Sequence, residues 1–197
     1  MIHAPAPQRK LIIITGHLAA GKSTFARLLS SELAIPCLVK DDFKSALCAG
    51  VEPSGRADSS RFSAITFDAM LYVAERLIET DHPLIIEGNF VPHGVKETDE
   101  AGAIKALLEK YRCPSLTFKF VGDTGILHGR FIERDKTPGR GRANVLGYEP
   151  SFDEFDLVCR QLGGFDLGED CVTVDGTDFG RLDFRPHIEA AQDFIHK

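Results

Sequence analysis

Residues 11–29, LIIITGHLAAGKSTFARLL, carry the pattern G-x-x-x-x-G-K-[ST] in the octet GHLAAGKS, residues 16–23. The spacing suits a bound phosphate chain. Gly16 and Gly21 permit a tight loop whose backbone N–H groups converge on phosphate oxygens. A helix opening near Lys22 aims the positive end of its dipole at the same point. Lys22 is placed to reach β- and γ-phosphates, and Ser23 to ligate Mg2+. The loop as a whole, Gly16, His17, Leu18, Ala19, Ala20, Gly21, Lys22, Ser23 and Thr24, is expected to hold the nucleotide, with no separate role for the His17 side chain. An apolar strand before the octet and an amphipathic helix after it are the setting that this motif requires.

Two acidic positions fall where a phosphate transfer would use them. VKDDFKSAL, residues 39–47, places Asp41 and Asp42 after a second apolar run, with Lys44 behind them. Ligands of an open parallel sheet bind outside the carboxyl ends of its strands, so an aspartate here faces the γ-phosphate. There it can orient an attacking hydroxyl and accept its proton. An aspartate before FKSAL is also a good helix N-cap, and the pair can divide the two roles. PLIIEGNF, residues 83–90, ends a third run with Glu87 and Asn89. A carboxylate at that strand end can hold a Mg2+-bound water or act as a base. A turn with Asn89 in it is the simpler reading of the same residues.

Residues 128–146, HGRFIERDKTPGRGRANVL, contain five bases and two acids, a local +3 within a chain of net charge −6. Arg130 and Arg134 are four apart and share a helix face. Guanidinium groups there can clamp triphosphate oxygens as charge spreads in a transition state. A solvated surface helix with internal ion pairs would show the same composition. The TPGRG segment is suited to the motion of a closing lid, and Arg142 within this stretch is assigned to the acceptor substrate.

Taken together, GHLAAGKS, VKDDFK and the R-x-x-x-R stretch resemble the P-loop kinases of small molecules and of polynucleotide 5′-ends. The resemblance runs from residue 11 to about 142 and onward to the last strand. It implies a three-layer α/β P-loop fold, use of ATP and Mg2+, and transfer to an alcohol group. It implies Asp41 as the base and Lys44 as a contact to the substrate or its phosphate. It also implies that Glu87 serves the metal or the acceptor, Asn89 the acceptor, and Arg130 and Arg134 a basic lid. Gly176 and Thr177, in the loop after the fifth strand, would border the adenine.

The elements needed to position these residues are legible. Five apolar, β-branched or aromatic runs, residues 11–15, 36–40, 83–88, 115–122 and 171–176, are bounded by Gly, Pro or Asp and read as strands. Helical stripes lie between them: Phe25, Leu28, Leu29 and Leu33, then Phe62, Ile65, Ala69, Tyr72, Val73 and Leu77, then Ile104, Leu107 and Leu108. A closing helix is expected near residues 186–195, with Pro186 in its first turn. Alternating strands and helices predict a five-stranded parallel sheet covered on both faces. Residues 49–60 and 135–151 read as long loops of the kind that form lids or binding loops. The expectation is one P-loop kinase domain over residues 1–197, with a loose tail at 1–9 and a lid at about 128–150.

Composition narrows the partners. A net charge of −6 argues against broad binding to nucleic acid or an anionic membrane. Five scattered cysteines without a CxxC pair fit free thiols in a reducing cytosol, and no segment reads as a leader or membrane span. A regulatory GTPase would carry N-K-x-D, which is absent, and the single D-x-x-G, from Asp99 to Gly102, lies in an acidic, helix-like stretch. The D-F-G at 178–180 lacks the other protein-kinase signatures. The reading is therefore an ATP-dependent, cytoplasmic phosphotransferase acting on a small-molecule hydroxyl. A polynucleotide 5′-hydroxyl kinase and an ATP-binding module without an acceptor are the alternatives.

Overall fold

The apolar runs pair into a five-stranded, wholly parallel sheet of order β2-β3-β1-β4-β5. The computed structural model describes residues 9–51, 56–92, 99–137, 144, 148–168 and 170–197. The strands are β1 (Leu11–Gly16), β2 (Cys37–Val39), β3 (Leu84–Glu87), β4 (Ser115–Val121) and β5 (Asp170–Asp175). The helices are α1 (Lys22–Leu33), α2 (Lys40–Leu47), α3 (Arg56–Glu79), α4 (Glu100–Tyr111), α5 (Thr124–Asp135), α6 (Phe152–Gly163) and α7 (Arg185–His196). The tail expected at 1–9 lies almost wholly outside the described residues.

Burial on both faces explains the near-continuous apolar strands. Ile12, Ile14, Phe118, Phe120 and Val174 pack with Phe25 and Leu29 of α1, Phe131 of α5, Phe155 and Cys159 of α6, and Ala191 of α7. Leu11, Ile13, Leu84 and Ile86 face the other way, onto α3 and α4 and onto Phe165 and Leu167 beyond α6. The chain from α6 to Leu167 thus crosses from one core to the other.

Two expectations are corrected, and one helix is new. The buried line of α3 is Thr66, Phe67, Met70, Ala74 and Ile78, whereas Ile65 and Tyr72 are 49 % and 63 % exposed. Small Ala74 and polar Thr66 lie on the line that approaches the sheet, and the larger residues beside them mimicked a stripe. The loop expected over residues 49–60 gives way to α3 from Arg56 onward. Helix α6 is an element without a sequence expectation, and Ser151 and Glu154 form a reciprocal capping box at its start.

Candidate active site

The phosphate loop depends on three left-handed residues, Gly16 (φ 115°), Ala19 (φ 56°) and Gly21 (φ 96°). At Gly16 a Cβ would lie 2.0 Å from the Phe120 carbonyl oxygen, and at Gly21 the same distance from the Phe179 ring. Both glycines are therefore required for space as well as for backbone conformation. The His17 N–H donates to the Phe120 carbonyl at 2.8 Å, which ties the loop to β4. Gly21 is the N-cap of α1, so the helix opens directly onto the loop.

Lys22 is buried, and its Nζ donates to the carbonyls of Gly16 (3.1 Å) and His17 (2.6 Å). Burial lowers its pKa to about 8, against the attraction of Glu87, with Arg134 lowering it further and Asp41 raising it. Ser23 Oγ donates to Glu87 Oε2 at 3.2 Å, which joins the loop to the end of β3. Glu87 is buried as well, and loss of hydration pushes its carboxyl up to about 7, opposed by Lys22 and reinforced by Asp41. Lys22, Ser23, Glu87 and Asp41 thus cluster at the carboxyl ends of β1, β2 and β3, and the charge of Arg134 on α5 reaches Lys22.

Asp41 and Asp42 lie in the first turn of α2, whose N-cap is Val39 with no side-chain cap. Neither aspartate is the cap, because the helix begins one residue before them; their charge is instead favoured by the helix dipole. Asp42 pairs with Arg27 at 2.6 Å on the surface, whereas the charge of Asp41 is felt by Lys22 and Glu87. Asn144, in the stretch read as the lid, reaches α2: its Nδ2 donates to the Asp41 carbonyl and to Ser45 Oγ, each at 2.9 Å. No sequence signal marked Asn144. Arg140 and Arg142 lie outside the described residues, as does most of the lid loop.

The remaining expected residues separate. Lys44 is buried toward α3, with Nζ donating to Ser59 Oγ at 2.9 Å. Asn89 keeps a buried Oδ1 with no hydrogen-bond partner among the described residues, an acceptor atom at the end of β3. Arg130, expected to clamp phosphates, donates instead to three backbone carbonyls: Ala19 (3.1 Å), Gly176 (2.9 Å) and Thr177 (2.8 Å). It buckles the phosphate loop to the loop after β5. Gly176 is pressed against that loop too, since a Cβ there would lie 2.3 Å from the Ala20 carbonyl oxygen. Thr177 Oγ1 accepts from the Asp123 N–H at 2.9 Å, which joins this edge to the start of α5. Thr24 is exposed on α1.

Sequence reasoning gave no place to the roof over the loop. His17 lies against Gly163 of α6, and the buried Cys159 thiol meets the Leu18 backbone. Burial holds the His17 pKa below its ordinary value, opposed by the Gly122 backbone. Two further contacts tie α6 and its approach to α5: Thr124 Oγ1 donates to Asp156 at 2.8 Å, and His128 Nε2 lies 2.9 Å from the Pro150 carbonyl. The D-x-x-G of residues 99–102 has a structural explanation: Asp99 caps α4, accepting from the Gly102 N–H at 2.8 Å.

Nothing among the described residues gathers three or more His, Cys, Asp or Glu as a metal cage. The Ser23 hydroxyl and buried Glu87 carboxylate nonetheless suit Mg2+, which takes oxygen ligands and is usually held by few protein groups together with substrate phosphates. No helix among the described residues is long and apolar enough to cross a membrane.

No family model matches the chain, and no curated protein matches it in sequence. Solved structures do. A presumptive kinase from Chloroflexus aurantiacus is 25 % identical, with a TM-score of 0.82 over 94 % of this chain and 98 % of that one. A gluconokinase from Sinorhizobium meliloti is 12 % identical, with a TM-score of 0.56 over 97 % and 94 % of the two chains. A shikimate kinase from Aquifex aeolicus is 17 % identical, with a TM-score of 0.52 over 94 % and 96 %. These likenesses show the fold: the described chain has the α/β architecture of P-loop kinases, and these three structures are described as kinases.

Proposed function

We propose that this chain is a P-loop phosphotransferase that moves the γ-phosphoryl of ATP–Mg2+ to a hydroxyl of a small molecule, with residues 1–197 acting as one catalytic unit. The observation that carries the reading is the meeting of Lys22, Ser23, Glu87 and Asp41 at the carboxyl ends of three strands. The phosphate loop holds the triphosphate through its backbone, and Lys22 turns from its loop carbonyls to the β- and γ-phosphates. Ser23 and Glu87 would hold Mg2+, which draws charge from the phosphate oxygens. Asp41 orients the acceptor hydroxyl and takes its proton as the O–P bond forms and the bridge to ADP breaks. Arg134 faces the same group and offsets the developing charge; losing such a contact commonly costs about 3 kcal/mol in barrier. Arg130 keeps the base-side loop against the phosphate loop, with Gly176 and Thr177 bordering the adenine. Asn89 presents an acceptor atom to the incoming hydroxyl compound.

Acidity of the chain and kinship of fold with a gluconokinase and a shikimate kinase support a small acceptor. The run VKDDFK favours a second reading, a 5′-hydroxyl polynucleotide end. The test is transfer from γ-labelled ATP to a panel of sugars, gluconate, shikimate and nucleosides, and separately to a 5′-hydroxyl oligonucleotide. Label on one small compound, lost in Asp41→Asn, is the expected result. Label on the oligonucleotide that falls steeply with salt would replace it by the second reading. Free phosphate alone, unchanged in Asp41→Asn, would leave an ATPase without an acceptor and refute the proposal.

A further inference from the structure

Beside the reacting group lies a buried ion pair that the proposed chemistry does not use. Lys40 and Glu100 are 7 % and 3 % exposed, with Nζ and Oε1 2.5 Å apart. The second carboxylate oxygen, Oε2, accepts the Val91 N–H at 3.0 Å, and the Val91 carbonyl accepts the Ala101 N–H at 3.2 Å. The Lys40 stem lies along Gly88, where an added Cβ would be 3.1 Å from Cδ. Its ammonium sits 5.4 Å and 6.0 Å from the ring centres of Phe67 and Phe90. One carboxylate therefore joins the first residue of α2 to the segment that leaves β3.

Those two points bracket the chemistry. Lys40 directly precedes Asp41, and Val91 lies four residues beyond Glu87 and two beyond Asn89. Val39 and Glu87 are register partners across β2 and β3, so the strands set the spacing at its base. Above the strands, the Lys40–Glu100–Val91 bonds set it. A buried ion pair is seldom better for stability than well-packed apolar groups of the same volume, especially among aromatic rings. Directed bonds fix a distance that apolar packing does not. We propose that Lys40 and Glu100 are positioning residues, a strut that holds the Asp41 turn at working distance from the Glu87–Asn89 strand end. The proposal rests on the phosphotransferase reading.

The experiment compares wild type with Glu100→Gln, Lys40→Met and the apolar pair Lys40→Met/Glu100→Leu. Each is measured for transfer to whichever panel compound the wild type labels, and for thermal unfolding. The expected result for the apolar pair is a Tm near that of wild type, a KM for ATP within about twofold and a kcat at least about tenfold lower, as a misplaced base should give. Glu100→Gln, which keeps the shape and one accepting oxygen, should lose kcat in the same direction by less. An apolar pair that folds and turns over like wild type overturns the strut, because a merely structural pair would be replaced without loss. If the apolar pair does not fold, Glu100→Gln decides, and an unchanged kcat overturns the proposal. A wild type that labels nothing refutes the phosphotransferase reading, and the strut falls with it; a labelling wild type with equally active variants refutes the strut alone.

Discussion

Glu87 is held near neutrality of charge by its burial, and removing that charge should stabilise the protein without nucleotide while destroying its response to Mg2+. The carboxyl sits at about 7 in the fold against an ordinary 4.5. A folded pKa above the unfolded one contributes stability that is fully present below pH 4.5 and is lost as pH rises through about 7. Taken alone, this difference makes ionised Glu87 cost about 3 kcal/mol above pH 7, at about 1.4 kcal/mol per tenfold change. Lys22 moves the other way: its folded pKa is depressed, and it loses the attraction of Glu87 when that charge goes. The compensation should leave Glu87→Gln about 1 to 2 kcal/mol more stable than wild type at pH 8, or about 5 °C in Tm for a chain of this size. At pH 4.5 to 5 the gain should vanish, because wild-type Glu87 is then protonated. Thermal unfolding from pH 4.5 to 8.5, with and without ATP–Mg2+, reads both effects. Ligand at about 100 times its Kd should add about 2.7 kcal/mol to wild type and much less to Glu87→Gln. A variant less stable than wild type at pH 8 without nucleotide would refute the argument, since Glu87 would then be a well-compensated charge.

Other substitutions separate the parts of the site. Lys22→Ala should abolish stabilisation by ATP–Mg2+, and a variant that still gains like wild type would remove the phosphate-loop assignment. Arg130→Met breaks three bonds to carbonyls; it should cost about 2 kcal/mol of stability, judged by charged hydrogen bonds, and raise KM for ATP more than it lowers kcat. A larger fall in kcat than in affinity would return Arg130 to the phosphates. Gly176→Ala drives a Cβ to 2.3 Å from the Ala20 carbonyl oxygen; forced backbone movement of this kind costs about 1 to 3 kcal/mol, and ATP affinity measured by titration should fall with it. Unchanged affinity would mean that the base-side loop moves independently of the phosphate loop.

Much of this site was legible because its chemistry is local. The octet 16–23 carries its own geometry, and five strands buried on both faces declare themselves by continuous apolar runs. What failed to show depended on distance. Whether Arg130 meets phosphates or carbonyls is decided by where the loop after β5 lies, 46 residues away in sequence. The partner of Lys40 is 60 residues on, in a stretch that reads only as an acidic helix start. The buried line of α3 was obscured because close approach to the sheet selects Ala74 and Thr66 over larger neighbours. Helix α6 did have a local signal, Ser151 and Glu154 three apart before an apolar pattern. The glycines and prolines of the preceding stretch mark a loop that ends at Ser151, and nothing in that reading extends to the helix which follows.

The contacts between α5 and α6 have a consequence for variation. His128 with Pro150, Thr124 with Asp156 and the Phe131–Phe155 ring contact at 5.5 Å fasten the chain on both sides of the intervening stretch. A loop closed at its root adds only closure entropy when it is lengthened, about 0.6 kcal/mol per doubling. The sheet and the phosphate loop are built elsewhere, and Asn144 is the described residue of the stretch that reaches the Asp41 turn. Length can therefore change on either side of Asn144 at little cost, provided that this residue keeps its bonds to the Asp41 turn. If the proposed function holds, exchange of this stretch around a retained Asn144 is expected to change the acceptor before it changes the fold.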